Sequence, residues 1–334
     1  MNRFAFAQPK TFQEAAGLLA DKKYSLPVLK GGGIDLIDRL KEGITEPDMV
    51  VNVRRIRGDG PPILATRGNK GALRIEATTT LAEIAASPEV RSIAPLLAMA
   101  VEWAASPQVR NVGTAAGNLL QRPRCWYYRH DQFDCLKKGG PTCYAVGGEN
   151  KYHAIFGDGP CHIVHPSNLA PALMICDGVV HVVGGDRSEI SLKELFHMPD
   201  AGVTSENNLK PGEVITHITC EAAPKSGFYA IKEKQSFDWP LVAASVSLQL
   251  DGAKITSARV CAGAVAPVPW MLPSVEAALK GVSLDDDAAL RAACAKAIDG
   301  AKPMTENGYK LKLLPVAVRR AVLAAAGRKT EVEV

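Results

Sequence analysis

The sequence predicts an α+β protein of about two domains, and three features predict it. Its 334 residues exceed what one ordinary core organises. The first fifty residues alternate helix and strand. Beyond about Gly227 long β-rich runs give way to three helix-like segments. Hydrophobic residues make up 47% and charged residues 22%, the balance of a globular chain.

Thr11 can cap a helix that carries Ala15, Ala16, Leu18 and Leu19 on one face. "SLPVLK" reads as a strand, "GGG" as a turn, "IDLIDRLKEG" as a helix and "DMVVNV" as a buried strand, together a small βαβ unit. A strand near "ALRIEA" follows, then helices through "TLAEIAAS" and "IAPLLAMAVEWAAS". Residues 122–163 fit neither period. Ser167 can cap a helix "NLAPALMIC", and "GVVHVVGG" and "EVITHITCE" read as strands. "GFYAIKEK", "LVAASVSLQLDG" and "KITSARVCAGAV" form a second strand-rich part with a "DG" hairpin signal. Helices in "LPSVEAALKG", "LDDDAALRAACAKAIDG" and "GYKLKLLPVAVRRAVLAAAG" end the chain. The change of character falls near residue 222, at "EAAPKSG".

A net charge of +4 with scattered basic residues argues against nucleic-acid binding and against a charged membrane surface. No apolar run approaches the roughly 18 residues of a membrane span. The start "MNRFAFAQPKTFQEA" lacks a long apolar segment, so no signal peptide is read and the cytoplasm is the default expectation. Cysteines there stay reduced unless a metal or catalysis uses them.

Three segments offer a polar ligand a place. Gly31, Gly32 and Gly33 lie between a strand and a helix start, where backbone N–H groups and the helix dipole favour phosphate. The dinucleotide fingerprint is not met, because Leu36 takes its third glycine position. A plain tight turn is the alternative. "VRNVGTAAGNLL" places Thr114, Gly117 and Asn118 in one loop, suited to a polar ligand or to satisfying its own turn. "HPSNLAPAL" offers Ser167 and Asn168 at a helix start, for a ligand or simply as a cap.

Four of the eight cysteines fall in one stretch, as Cys125-x9-Cys135-x7-Cys143-x17-Cys161. Four thiolates match one tetrahedral Zn²⁺ or a cubane with one cysteine per iron. Paired C-x₂₋₄-C knuckles, usual for structural zinc, are missing. Wide, glycine-bearing spacings suit a cluster wrapped by a loop, and Trp126, Tyr127 and Tyr128 can shield it or serve equally as core aromatics. Zinc, and disulfides or bare thiols, stay open on spacing alone. His130, His153, His162 and His165 crowd the region as neighbours rather than ligands. Cys176, Cys220, Cys261 and Cys294 sit singly in apolar runs and read as core thiols.

"LKGGGIDL", "VRNVGTAAGNLLQRPRCWYYR", the cysteine stretch, "HPSNLAPAL" and "CAGAVAPVPW" together resemble one family. It is the FAD-binding medium subunit of the molybdenum hydroxylases: xanthine dehydrogenase, aldehyde oxidoreductase and carbon monoxide dehydrogenase. The resemblance is to the branch with an extra cysteine loop, as in periplasmic aldehyde oxidoreductase and 4-hydroxybenzoyl-CoA reductase. It implies a two-lobed FAD domain of the vanillyl-alcohol-oxidase type over 1–222, with lobes of about 1–57 and 58–222 and a cluster loop at 122–163. A smaller C-terminal domain of antiparallel sheet and helices would fill 223–334.

The resemblance further implies that Leu29, Lys30, Gly31, Gly32, Gly33, Ile34, Asp35 and Leu36 cradle the FAD pyrophosphate. Thr114, Gly117 and Asn118 would contact the cofactor, with Ser167 and Asn168 nearby, and Cys125, Cys135, Cys143 and Cys161 would hold a 4Fe–4S cluster. Expected partners are a molybdenum-cofactor large subunit, where substrate reacts, a 2Fe–2S small subunit, and an external electron acceptor or donor. This chain then needs no acid or base for the substrate step. A self-contained FAD oxidoreductase and a zinc-loop scaffold are the competing readings. Gly31 and Ile34 stand where the family turn has alanine and threonine, Ala116 replaces a glycine, and Asn168 replaces an aspartate. Ala230 stands where a lysine is usual, with Lys232 or Lys234 as substitutes.

Overall fold

The computed structural model describes residues 2–58, 60–66 and 72–330. Strands β1 (Ala5–Ala7), β2 (Pro27–Lys30) and β3 (Met49–Asn52) form a parallel sheet in the order β1-β3-β2. Helices Phe12–Leu19 and Ile34–Lys41 make the crossovers. Thr11 closes the first helix, its Oγ1 accepting from the Glu14 N–H at 3.1 Å. Successive β3 residues face opposite sides of the sheet. Val51 packs with Ala15 and Ala16 of one helix, and Val50 packs with Leu36 and Leu40 of the other. The unbroken apolar run "MVV" is therefore the mark of a strand covered on both faces. The expected βαβ unit is present. Strand β1, too short to carry a period, extends it.

The second lobe is a five-stranded antiparallel sheet of β4 (Ile63–Ala65), β5 (Leu73–Glu76), β6 (Val179–Val183), β7 (Glu189–Ser191) and β8 (Val214–Cys220), in the order β4-β5-β8-β6-β7. β5 pairs with β8 from Leu73↔Cys220 to Glu76↔His217, so the helices and the irregular stretch between β5 and β6 are inserted between strands of one sheet. Helix Leu81–Ala86 starts on a capping box of Thr80 and Glu83. Helices Pro95–Glu102, apolar up to its exposed last residue, and Leu169–Ile175, apolar throughout, are almost wholly buried, as central helices must be. Residues 122–163 are mainly irregular, with one helical turn at Trp126–Arg129 and a 3₁₀ turn at Leu136–Lys138.

The last part is an antiparallel sheet of β9 (Ser226–Ile231), β10 (Val242–Asp251), β11 (Lys254–Gly263) and β12 (Trp270–Met271), in the order β12-β11-β10-β9. Asp251 pairs with Lys254 around the expected turn, where Gly252 takes φ +56°. Helices Pro273–Leu279, Asp287–Ala295 and Lys310–Ala325 cover one face. Phe228, Ala230, Ala243 and Cys261 of this sheet join Leu96 and Leu169 in one apolar cluster, so the two central helices lie between both antiparallel sheets. Lys310, 1% exposed, donates from Nζ to the carbonyls of Tyr152, His153 and Ala264 at 2.9–3.1 Å. Asn307 Nδ2 donates to the carbonyls of His153 and Ala154. These contacts fasten the far half of the cysteine segment to the C-terminal helix.

Candidate functional site

A cavity of about 470 Å³ opens between the lobes, within the usual size of a small-molecule site. Its wall combines the glycine turn after β2 with the segment around Thr114. A Cβ on Gly32 would stand 2.1 Å from the Val112 carbonyl oxygen, and one on Gly31 would stand 2.9 Å from Thr114 Oγ1. These glycines let the turn lie directly against residues 112–114. Gly33 has φ +88° and supplies no side-chain cap, so the first N–H groups of helix Ile34–Lys41 have no side-chain cap from that position.

Thr114 is buried and caps helix Ala115–Leu119, its Oγ1 accepting from the Gly117 N–H at 3.2 Å. Ala115 N–H donates to the Thr79 carbonyl and Leu81 N–H to the Gly113 carbonyl, which pins this segment to the chain leaving β5. Asn118 Oδ1 accepts from the Ser167 hydroxyl at 2.6 Å, while Ser167 Oγ caps the next helix by accepting from the Ala170 N–H at 2.9 Å.

The structure gathers Leu29, Gly31, Gly32, Gly33, Ile34, Asp35, Leu36, Thr114, Gly117, Asn118 and Asn168 around this one cavity. Two expected residues are not on its wall. Ser167 stands behind Asn118 and orients it. Lys30 turns away, with Nζ 3.4 Å from both the Gly31 carbonyl and Asn52 Oδ1, and burial together with neighbouring Arg54 lowers its pKa. Asn168 is buried and donates to the Ala100 carbonyl at 3.3 Å. Neither proposed substitute for the lysine at 230 lines the cavity. Lys232 Nζ instead donates to the Trp103 carbonyl at 2.7 Å.

Asp35, in the first turn of its helix, is ringed by arginines. Arg129 lies 2.6 Å away and Arg39 3.1 Å, and Arg124 is also bonded to it. Burial pushes its carboxyl up, but Arg124, Arg129 and Arg39 outweigh that and hold it at about 2. Sequence reasoning did not single out Arg124 or the Phe237–Trp239 turn that roofs the cavity. The signal was "SFDW", two large aromatics in a loop. Trp239 lies under the Arg124 guanidinium at 4.6 Å, and the Phe237 N–H donates to the Ala105 carbonyl.

Cys125, Cys135, Cys143 and Cys161 converge on a second, small cavity. All eight cysteines are free thiols. Cys125 receives backbone N–H groups from Tyr128 and Tyr127, Cys143 from His162 and Ala145, and Cys161 from Ile163. Such donors favour thiolates. Burial still pushes the Cys125 thiol up to about 11. Cys143 and Cys161 hydrogen-bond one another, which lowers the first and raises the second. His153 Nε2 lies 3.2 Å from Cys125 Sγ, and burial drops the His153 pKa to about 4, so it is neutral there. Its Nδ1, Trp126 Nε1 and the Tyr128 hydroxyl are buried without partners. Among the described residues no three His, Cys, Asp or Glu are arranged around a single ion. Four thiols at one cavity are the donor number of a tetrahedral zinc and of a 4Fe–4S cubane alike.

A parallel three-stranded lobe, a five-stranded antiparallel lobe, a cavity between them and a sheet-and-helix extension define a two-lobed flavoprotein. The family model for the FAD binding domain in molybdopterin dehydrogenase matches residues 2–220. That for the CO dehydrogenase flavoprotein C-terminal domain matches residues 227–325. The chain belongs to the FAD-binding subunits of the molybdenum hydroxylase family. It is 31% identical to the aldehyde oxidoreductase FAD-binding subunit PaoB of Escherichia coli, over 98% of this chain and 99% of that one. It is 26% identical to the carbon monoxide dehydrogenase medium chain of Afipia carboxidovorans, over 97% of each. Among solved structures, a Cu,Mo-CO dehydrogenase superposes with a TM-score of 0.73 at 22% identity, covering 98% of each chain. Quinoline 2-oxidoreductase of Pseudomonas putida superposes at 0.72 and 18% identity, again covering 98% of each chain.

Proposed function

We propose that this chain is the FAD- and 4Fe–4S-carrying electron-transfer subunit of a molybdenum hydroxylase complex. The observation that carries the reading is the joint between Gly31–Gly33 of the first lobe and Thr114 of the second at the cavity wall, with a four-thiol centre in the second lobe. Bound FAD supplies exchange between one-electron carriers and a two-electron partner.

In this reading Leu29 and Lys30 lead into the glycine turn, and Gly31 to Leu36 hold the pyrophosphate through backbone N–H groups at the helix start. Ile34 cannot give the hydroxyl bond that a threonine would. Thr114, packed against Gly31, meets the cofactor with Gly117 and Asn118, with Ser167 fixing the Asn118 amide and Asn168 nearby. Arg124 and Trp239 close the rim. Cys125, Cys135, Cys143 and Cys161 ligate the iron. The domains are 1–222 and 223–334, the first with lobes of about 1–57 and 58–222. Partners are a molybdenum-cofactor large subunit and a 2Fe–2S small subunit, and a substrate of the aldehyde, xanthine or aromatic acyl-CoA class reacts on the large one.

The test is the anaerobic visible spectrum with iron and acid-labile sulfide content. A flavin spectrum with a broad shoulder and four irons per chain is the expected result. Cys143→Ser should remove the shoulder and spare FAD. Flavin with no iron would leave an FAD subunit and refute the cluster.

A further inference from the structure

We infer that Lys137, held by Glu206 and Arg122, is a fixed buried counter-charge that sets the reduction potential of the cysteine centre. The inference rests on the 4Fe–4S reading above.

Lys137 lies between Cys135 and Cys143 in the chain and lines the small cavity with the four thiols. Its side chain is only 1% exposed. Its Nζ donates to Glu206 Oε1 and the Val203 carbonyl at 2.8 Å, and lies 3.3 Å from the Ser205 carbonyl. Those acceptors account for all three ammonium protons and fix the charge in one place. Among the described residues no other lysine or arginine lines that cavity.

Glu206 does not cancel this charge, because it also serves Arg122. Arg122 Nε donates to Glu206 Oε2 and Nη2 to Oε1, both at 2.9 Å. Burial pushes the Glu206 carboxyl up, but Arg122 and Lys137 outweigh it, so it stays ionised. A buried lysine and a half-buried arginine on one carboxylate leave one positive charge in excess, and of the two it is Lys137 that lines the cavity of the sulfurs. Arg122 lies over the Tyr128 ring at 4.9 Å, its Nη2 also donates to the Thr204 carbonyl at 2.6 Å, and its backbone N–H donates to Asp35. A residue meant only to neutralise Glu206 would be redundant beside a bidentate arginine. The position of Lys137 is explained by what lies on its other side.

A reduced centre is one unit more negative than the oxidised one. A fixed positive charge in a low-dielectric neighbourhood stabilises the reduced form and raises the potential. The experiment is a potentiometric titration of the full chain, with the subunits that co-purify, followed by EPR and by flavin absorbance at pH 6. Lys137→Met should lower the reduction equilibrium constant of the iron–sulfur centre about tenfold or more, near 59 mV for one electron. The flavin potential should move much less. Lys137→Arg should stay near wild type. Glu206→Gln, which adds net positive charge, should move the iron–sulfur potential upward.

A structural strut would not give shifts of opposite sign. If Lys137→Met takes up no iron, the sign in Glu206→Gln decides. Iron-loaded wild type with unmoved potentials, or with both variants shifted the same way, overturns the role of Lys137 alone. Wild type that binds no iron overturns the cluster reading, and this inference with it.

Discussion

Asp35→Asn is the sharpest test of how the cofactor lobe is held to the arginine-rich segment. Asp35 is 15% exposed at its side chain and accepts from Arg39, Arg124 and Arg129. Its carboxyl is held at about 2 against an ordinary 3.8. At about 1.36 kcal/mol per unit, that drop is roughly 2.5 kcal/mol of stability at neutral pH. Asparagine keeps the shape and removes the charge, leaving three guanidiniums facing one another. The expected loss is therefore about 2–4 kcal/mol, toward the range for breaking a buried pair. Because the folded pKa is depressed, this stability is present above the ordinary pKa and vanishes as pH falls through the folded one. Wild type should thus lose its advantage over the variant between about pH 4 and pH 2. Urea unfolding across pH measures it, and Asp38→Asn is the control. Asp38 is 55% exposed and among the described residues its carboxylate pairs with Arg129 alone, at 3.0 Å, so about 0.5 kcal/mol is expected. Equal losses at the two aspartates, or a gap that persists at pH 2, would refute the reasoning.

Gly32→Ala should cost about 3 kcal/mol or more and deplete bound FAD, since its Cβ meets Val112 backbone at 2.1 Å. Gly17→Ala, with nothing within 4 Å and a helical position, should instead raise the melting temperature slightly. Thr114→Ala removes the cap on Gly117 and should cost about 1 kcal/mol with weaker FAD retention, whereas Thr114→Ser should restore both.

Most elements were legible where a period or a cap marked them. Thr11, the "MVV" run, the "DG" hairpin and the three last helices all stand as the sequence pattern indicated. Strands β1, β4 and β7, of three residues each, carry too little pattern to read alone. They exist because neighbouring strands supply hydrogen-bond partners. The site residues divide in the same way. Glycines beside a strand end pointed to the cavity wall. The Ser167 hydroxyl also braces Asn118, a contact visible only once both loops are side by side.

By itself the sequence determined the element types, the family and the four-cysteine spacing, because each is local chemistry written over a few residues. Tertiary structure decided the rest. It brought Gly32 against Val112, Asp35 among Arg124 and Arg129, and Lys137 onto Glu206, pairs separated by 69 to 94 residues. Charge strength and burial depend on distance through space, and no local pattern encodes that. The loop that looked irregular is ordered by these contacts and by its anchorage to Asn307 and Lys310.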